Sequence, residues 1–167
     1  VGCLRVGVIP IPCIDMLTQK DVRYRVEHSA AAGAITTRAS APKLAGLDLR
    51  MRAAVGGAEG WLDFDAAVAA ASVDCPPESI GMEDPVAMYY TSGSTGGPKG
   101  VTHAARALYA WRFASQLWQD LKPSDRMWCT ADTGWSKAGT ARVFGPWSCG
   151  AAVPSHHGAF DPRARRA

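Results

Sequence analysis

The chain has 167 residues, 47% hydrophobic and 20% charged, with a formal net charge of +3. That is about one domain's worth of sequence, enough to bury about two-thirds of its unfolded surface, with the composition of an ordinary globular protein. The small charge excess lies largely in Arg163, Arg165 and Arg166 at the chain end, which excludes a basic nucleic-acid stripe.

In chain order, Leu4 to Ile9 reads as a strand rich in β-branched residues, broken by Pro10 and Pro12. Thr18 with Asp21 three residues later is a variant capping box, and Val22, Val26 and Ala30 follow at helical spacing up to Gly33. Ala34 to Thr37 is a short strand. Leu47 to Val55 holds another, and Gly56-Gly57 is a turn. Trp61 to Ala71 reads as an Ala-rich helix, and Cys75 to Pro85 as a proline-marked loop. Val86 to Thr91 is the clearest strand. After a glycine-rich loop, a helix of about fifteen residues starts at Thr102 and stops at Lys122-Pro123. Its Ala104, Leu108, Trp111, Ala114 and Trp118 share one side, which predicts core packing. Met127 to Thr130 is a strand, Arg142 to Trp147 a helix segment, and Ala151 to Val153 a last short strand. Strands alternating with helices predict an α/β fold with a largely parallel sheet and flanking helices.

The five cysteines, at 3, 13, 75, 129 and 149, have no C-x-x-C spacing and read mostly as buried thiols of a reducing compartment. His156 and His157 are adjacent, so they face apart on a strand and make a poor metal pair. No metal ligand set is assigned. No apolar run reaches the roughly 18 residues of a membrane span, and the opening residues lack a signal-peptide pattern. The first residue is Val1, so the chain reads as beginning within a longer protein.

The chemistry concentrates in Thr91-Ser92-Gly93-Ser94-Thr95-Gly96-Gly97-Pro98-Lys99-Gly100. Glycines let the backbone turn with positive φ and approach an anion closely. Consecutive backbone N–H groups then form a concave nest for phosphate oxygens. The hydroxyls of Thr91, Ser92, Ser94 and Thr95 add neutral donors, Lys99 adds a mobile point charge, and a helix from Thr102 would add its positive end. A flexible linker has a similar composition, but strong elements on both sides and one lysine at the far end favour phosphate binding. The Walker pattern fails, because Pro98 precedes the lysine and Gly100 follows it. The G-x-G-x-x-G dinucleotide pattern is absent.

The run from Thr91 to Lys99 resembles the signature of the adenylate-forming (AMP-binding) superfamily. Trp128 to Trp135, Gly145-Pro146-Trp147, Gly150-Ala151 and His103 are similar to its short- and medium-chain acyl-CoA synthetase branch. Arg5 to Pro10 and Asp21 to Ala30 resemble an earlier part of the same large N-terminal domain. The resemblance is weakest between Ser40 and Asp84. It implies that residues 1–167 are part of that domain, without the C-terminal domain and its catalytic lysine. It implies a two-step ligase using ATP, Mg2+ and coenzyme A on a short- or medium-chain carboxylic acid, through an acyl-adenylate. The loop would grip the β- and γ-phosphates, with Lys99 catalytic. Trp135 and Gly139 would help wall the acyl pocket, and His103 would be a pocket residue or a packing residue. The implied setting is cytoplasmic, or the mitochondrial matrix if a transit peptide precedes the chain; oligomeric state is left open. Two readings follow: part of a complete acyl-CoA ligase, or a truncated nucleotide-binding module without ligase activity. An adenylating enzyme with another acceptor is a further alternative.

Overall fold

The computed structural model describes residues 1–92 and 96–155. The chain divides into two compact units, Val1–Ala105 and a second from Arg106 onward.

In the first unit, α1 (Gly2–Arg5) precedes an extended segment that meets the later sheet through Met88 N–H donating to the Pro10 carbonyl, 3.0 Å. The strand expected at Leu4 to Ile9 is therefore not formed. Its first residues make a helical turn, and the Glu78 N–H donates to the Arg5 carbonyl at 2.7 Å. α2 (Gln19–Ser29) begins at the expected capping box. The Asp21 N–H donates to Thr18 Oγ1 (3.3 Å), and the Thr18 N–H donates back to Asp21 Oδ2 (3.0 Å). α2 ends at Ala30, which takes the left-handed conformation expected of a helix cap. Gly33 instead opens the next strand.

β1 (Gly33–Thr37), β2 (Met51–Val55) and β3 (Leu62–Asp63) form a parallel sheet in the order β1-β2-β3. α3 (Phe64–Ala70) is shorter than expected, because Leu62-Asp63 pairs with β2 and Asp63 caps the helix through the Ala66 N–H, 3.0 Å. A 3-10 turn, Ala41–Leu44, leads into the core cluster of Leu44, Leu47 and Leu49. Val22 and Val26 of α2, with Ala34 and Trp61, pack on it.

β4 (Pro85–Thr91) and β5 (Lys99–Ala104) form an antiparallel hairpin. This corrects the helix expected from Thr102. Val101 and Thr102 are β-branched and pair with Tyr89 and Met88 across the ladder. Gly100 makes the pairing close. A β-carbon there would lie 3.1 Å from Met88 Sδ and 3.4 Å from Tyr90 Cζ.

In the second unit, α4 (Arg106–Trp118) buries Ser115 and half-buries Leu108 and Trp111, whose indole stacks on Phe144 at 5.5 Å. Trp118, expected in the core, is 82% exposed, and Ala114 is exposed as well. Shifting the inward stripe to 108, 111 and 115 leaves both on the outer side. α5 (Ser136–Ala138), a π-helical turn (Gly139–Phe144) and α6 (Gly145–Ser148) follow. The expected strands at Met127 and Ala151 reduce to one parallel bridge between Arg126 and Ala152. Cys149 is the buried thiol among the described residues, whereas Cys13 and Cys75 are exposed. His156, His157 and Arg163 to Arg166 lie outside the described residues. Among the described residues no helix is long and apolar enough to cross a membrane.

The capping box carries a pH dependence. Hydrogen bonds from the Thr18 side chain and backbone hold the Asp21 carboxyl below its ordinary value. A carboxylate with a depressed folded-state pKa stabilises the fold above its unfolded pKa, near 3.9, and loses that contribution as pH falls through the folded value. Asp21→Asn is expected to lower the urea midpoint at pH 7. That difference should shrink steadily below about pH 4, as followed by circular dichroism. A deficit unchanged at low pH would reject the charge-based account.

Candidate functional site

The glycine-rich segment is the connection of the β4–β5 hairpin. β4 ends at Thr91 and β5 starts at Lys99, and these two residues are paired across the ladder. The ladder thus places the two ends of the loop side by side. Thr91, Ser92, Gly96, Gly97 and Lys99 are exposed and Pro98 is half-buried. Gly96 has φ +82°, a conformation open to glycine and strained for other residues. Gly93, Ser94 and Thr95 lie outside the described residues.

The hairpin changes the expected electrostatics of the loop. β5 runs away from it to Ala104, and α4 starts only at Arg106. The residues that follow Lys99 are therefore strand, and the helix expected from Thr102, with its positive end, is not formed there. The donors left at the loop are backbone N–H groups, hydroxyls and the Lys99 ammonium.

One further residue meets the loop. The Tyr24 hydroxyl, from α2, donates to the Pro98 carbonyl at 2.9 Å. Its ring stands against Gly97, where a β-carbon would lie 3.5 Å from the hydroxyl oxygen. Tyr24 stacks on His28 (5.4 Å between centroids), and both meet Tyr90 of β4 edge-on. His28 Nδ1 and the Tyr90 hydroxyl share a hydrogen bond of 2.8 Å, and the Arg25 guanidinium lies 5.1 Å from the centre of the Tyr90 ring. Burial, above all other causes, pushes the Tyr90 phenol up from its ordinary value, keeping it a neutral O–H group near pH 7. The sequence reading missed Tyr24. The available signal was an aromatic pair, Tyr24 and His28, at i and i+4 on the helix side opposite Val22 and Val26.

His103 is a half-buried strand residue whose ring meets Tyr89 edge-on at 5.8 Å, a packing arrangement. It lies on β5 and not at a helix start. In the second unit, Trp135 caps α5 and is 57% exposed, while Gly139, at the other end of α5, is buried. The Asp132 carboxylate accepts from the Gly134 N–H (2.8 Å), and the Asp132 carbonyl accepts from the Trp135 N–H (3.1 Å). This turn sets the direction in which the indole leaves the chain. Among the described residues, no group of three His, Cys, Asp or Glu side chains is placed to hold a metal ion.

The model of the AMP-binding enzyme family matches residues 1–165. The chain is 36% identical over 172 residues to the mitochondrial acyl-coenzyme A synthetase ACSM1 of Mus musculus, covering 98% of this chain and 30% of that protein. It is 36% identical to the mitochondrial acyl-coenzyme A synthetase ACSM4 of Homo sapiens, with 96% and 29% covered. Among solved structures, an acyl-CoA synthetase of Brucella canis superposes with a TM-score of 0.87 at 33% identity, with 95% and 30% covered. The anthranilate CoA ligase AuaEII, in complex with anthranoyl-AMP, gives 0.84 at 25% identity, with 95% and 32% covered. The chain thus spans about 30% of the length of the relatives it matches.

Proposed function

We propose that this chain, which belongs to the AMP-binding enzyme family, is the phosphate-gripping part of an ATP-dependent acid–thiol ligase that makes acyl-CoA from a short- or medium-chain carboxylic acid. The observation that carries this reading is the exposed loop of the β4–β5 hairpin, with Thr91 and Lys99 paired at its base. The names of the relatives support the choice of ligase over other nucleotide-binding activities.

In the proposed reaction the carboxylate oxygen attacks the α-phosphorus of ATP. The bond to the bridging oxygen breaks, and pyrophosphate leaves. The thiol of coenzyme A then attacks the acyl carbon and expels AMP. Residues Thr91 to Lys99 act in the first step. Hydroxyls and backbone N–H groups hold the β- and γ-phosphates, and the Lys99 ammonium meets the charge that builds on the leaving pyrophosphate. Prepositioned donors of this kind are among the largest catalytic contributions.

Magnesium belongs to the proposal as the companion of ATP. Such an ion would bridge phosphate oxygens held by the loop. The mitochondrial names of the relatives support a matrix setting for the parent protein, the alternative that stood beside the cytoplasm.

Trp135 and Gly139 are proposed to wall the acyl pocket. An indole that is 57% exposed has apolar surface to offer a substrate, which supports the role for Trp135. In the parent enzyme, Trp135→Ala is expected to raise KM for the preferred acid by about tenfold, the scale of losing a few buried methylene-sized contacts, with KM for ATP unchanged. Steady-state kinetics over a series of acids checks this. An unaltered acid preference would remove Trp135 from the pocket. The reading as a whole is tested by pyrophosphate exchange with Lys99 variants.

A further inference from the structure

We propose that Tyr24 is a positioning residue for the phosphate loop, acting through the Pro98 carbonyl to fix where Gly96, Gly97 and Lys99 meet the phosphates. The inference rests on the loop being a phosphate grip and adds what holds that grip in shape.

A loop rich in glycine loses much conformational entropy when it is ordered. The ladder fixes its two ends at Thr91 and Lys99. It offers no partner for the residues just before Lys99, which lie outside the pairing. Tyr24 supplies one. Its hydroxyl donates to Pro98, the residue immediately before Lys99, and its ring covers Gly97. Proline cannot donate from its own nitrogen, so the Pro98 carbonyl is the backbone polar group through which this residue can be tied.

The anchor is itself anchored. α2 turns Val22 and Val26 toward Leu44, Leu47 and Leu49, and Tyr24 and His28 toward the hairpin. Arg23 donates to the Ala45 carbonyl at 3.5 Å, and Lys43 donates to the Asp15 carbonyl at 2.7 Å just ahead of the capping box. On the hairpin side, His28 and Arg25 engage Tyr90, which precedes Thr91. One helix therefore holds the outgoing arm of the hairpin through Tyr90 and the last residue of the loop through Pro98. Tyr24 is 37% exposed, so the bond to Pro98 acts at a partly wet surface and its effect is moderate.

The test uses the full-length protein that contains this chain, with Tyr24→Phe and Lys99→Ala side by side. Tyr24→Phe keeps the ring on Gly97, His28 and Tyr90 and removes only the hydroxyl. It is expected to raise KM for ATP about threefold to tenfold, the scale of one net hydrogen bond, with KM for the acid and for coenzyme A within twofold of the unsubstituted enzyme. A purely structural role would move all three together. If Tyr24→Phe matches the unsubstituted enzyme while Lys99→Ala is impaired, the positioning role is overturned and the phosphate loop stands. If Lys99→Ala is unimpaired, both fall. An equal rise in all three constants with a lowered unfolding midpoint also overturns it. Amide hydrogen exchange without ATP compares Tyr24→Phe with the unsubstituted protein. The amides of residues 99–101, next to Pro98, should exchange faster in Tyr24→Phe, and equal rates in the two proteins would reject the brace.

Discussion

Lys99→Ala in the parent enzyme is expected to slow adenylation about tenfold to a thousandfold, the range for removing one charge-stabilising donor from a transition state. The side chain is exposed on the first residue of β5, and its backbone is held by pairing with Thr91. Truncation therefore removes the ammonium without removing a core contact, and the unfolding midpoint should change little. Pyrophosphate exchange isolates the first half-reaction and is the measurement of choice. Lys99→Arg should recover only part of the rate, because a planar guanidinium keeps the charge but not the compact reach of an ammonium. An exchange rate equal to that of the unsubstituted enzyme would remove Lys99 from the proposed mechanism.

Leu47→Ala is expected to destabilise the first unit by about 2–5 kcal/mol, the cost of emptying a buried leucine site that only partly collapses. Leu47 is 4% exposed and shares its cluster with Leu44 and Leu49. The same cluster receives Val22 and Val26, so the loss should loosen α2 and with it the side that carries Tyr24 and His28. Urea unfolding followed by far-ultraviolet circular dichroism measures the first effect. A midpoint within experimental scatter of the unsubstituted protein would mean that this cluster does not hold α2.

The elements that could be read from the sequence carried their instructions locally. The capping box at Thr18 and Asp21 depends on groups three residues apart, and it forms as expected. Val86 to Thr91 is an apolar, β-branched and aromatic run bounded by proline and glycine, and it is a strand. The segment from Leu4 to Ile9 has the same local character, yet its first residues form a helical turn and its remainder stays outside a ladder. Propensity describes how a residue suits a pleated surface but does not supply a neighbouring strand. The helical spacing of Ala104, Leu108, Trp111, Ala114 and Trp118 predicts a helix that starts at Thr102. The ladder opposite β4 claimed that residue, and the helix was postponed to Arg106.

The loop divides in the same way. Its glycines, hydroxyls and lysine carry the proposal of phosphate binding from residue chemistry, and the failed Walker pattern excluded the commonest alternative. The sequence by itself thus determined the family, the α/β character and where the glycines, hydroxyls and lysine of the proposed phosphate loop lie, because these follow from side-chain chemistry and short-range spacing. Only the tertiary structure decided that the loop is the connection of an antiparallel hairpin, that the residues following Lys99 are strand, and that Tyr24 closes on Pro98. The hairpin depends on ladder pairs 8 to 19 positions apart, and the Tyr24 bond on a contact between residues 74 positions apart, whose geometry arises when α2 packs between the leucine cluster and the hairpin.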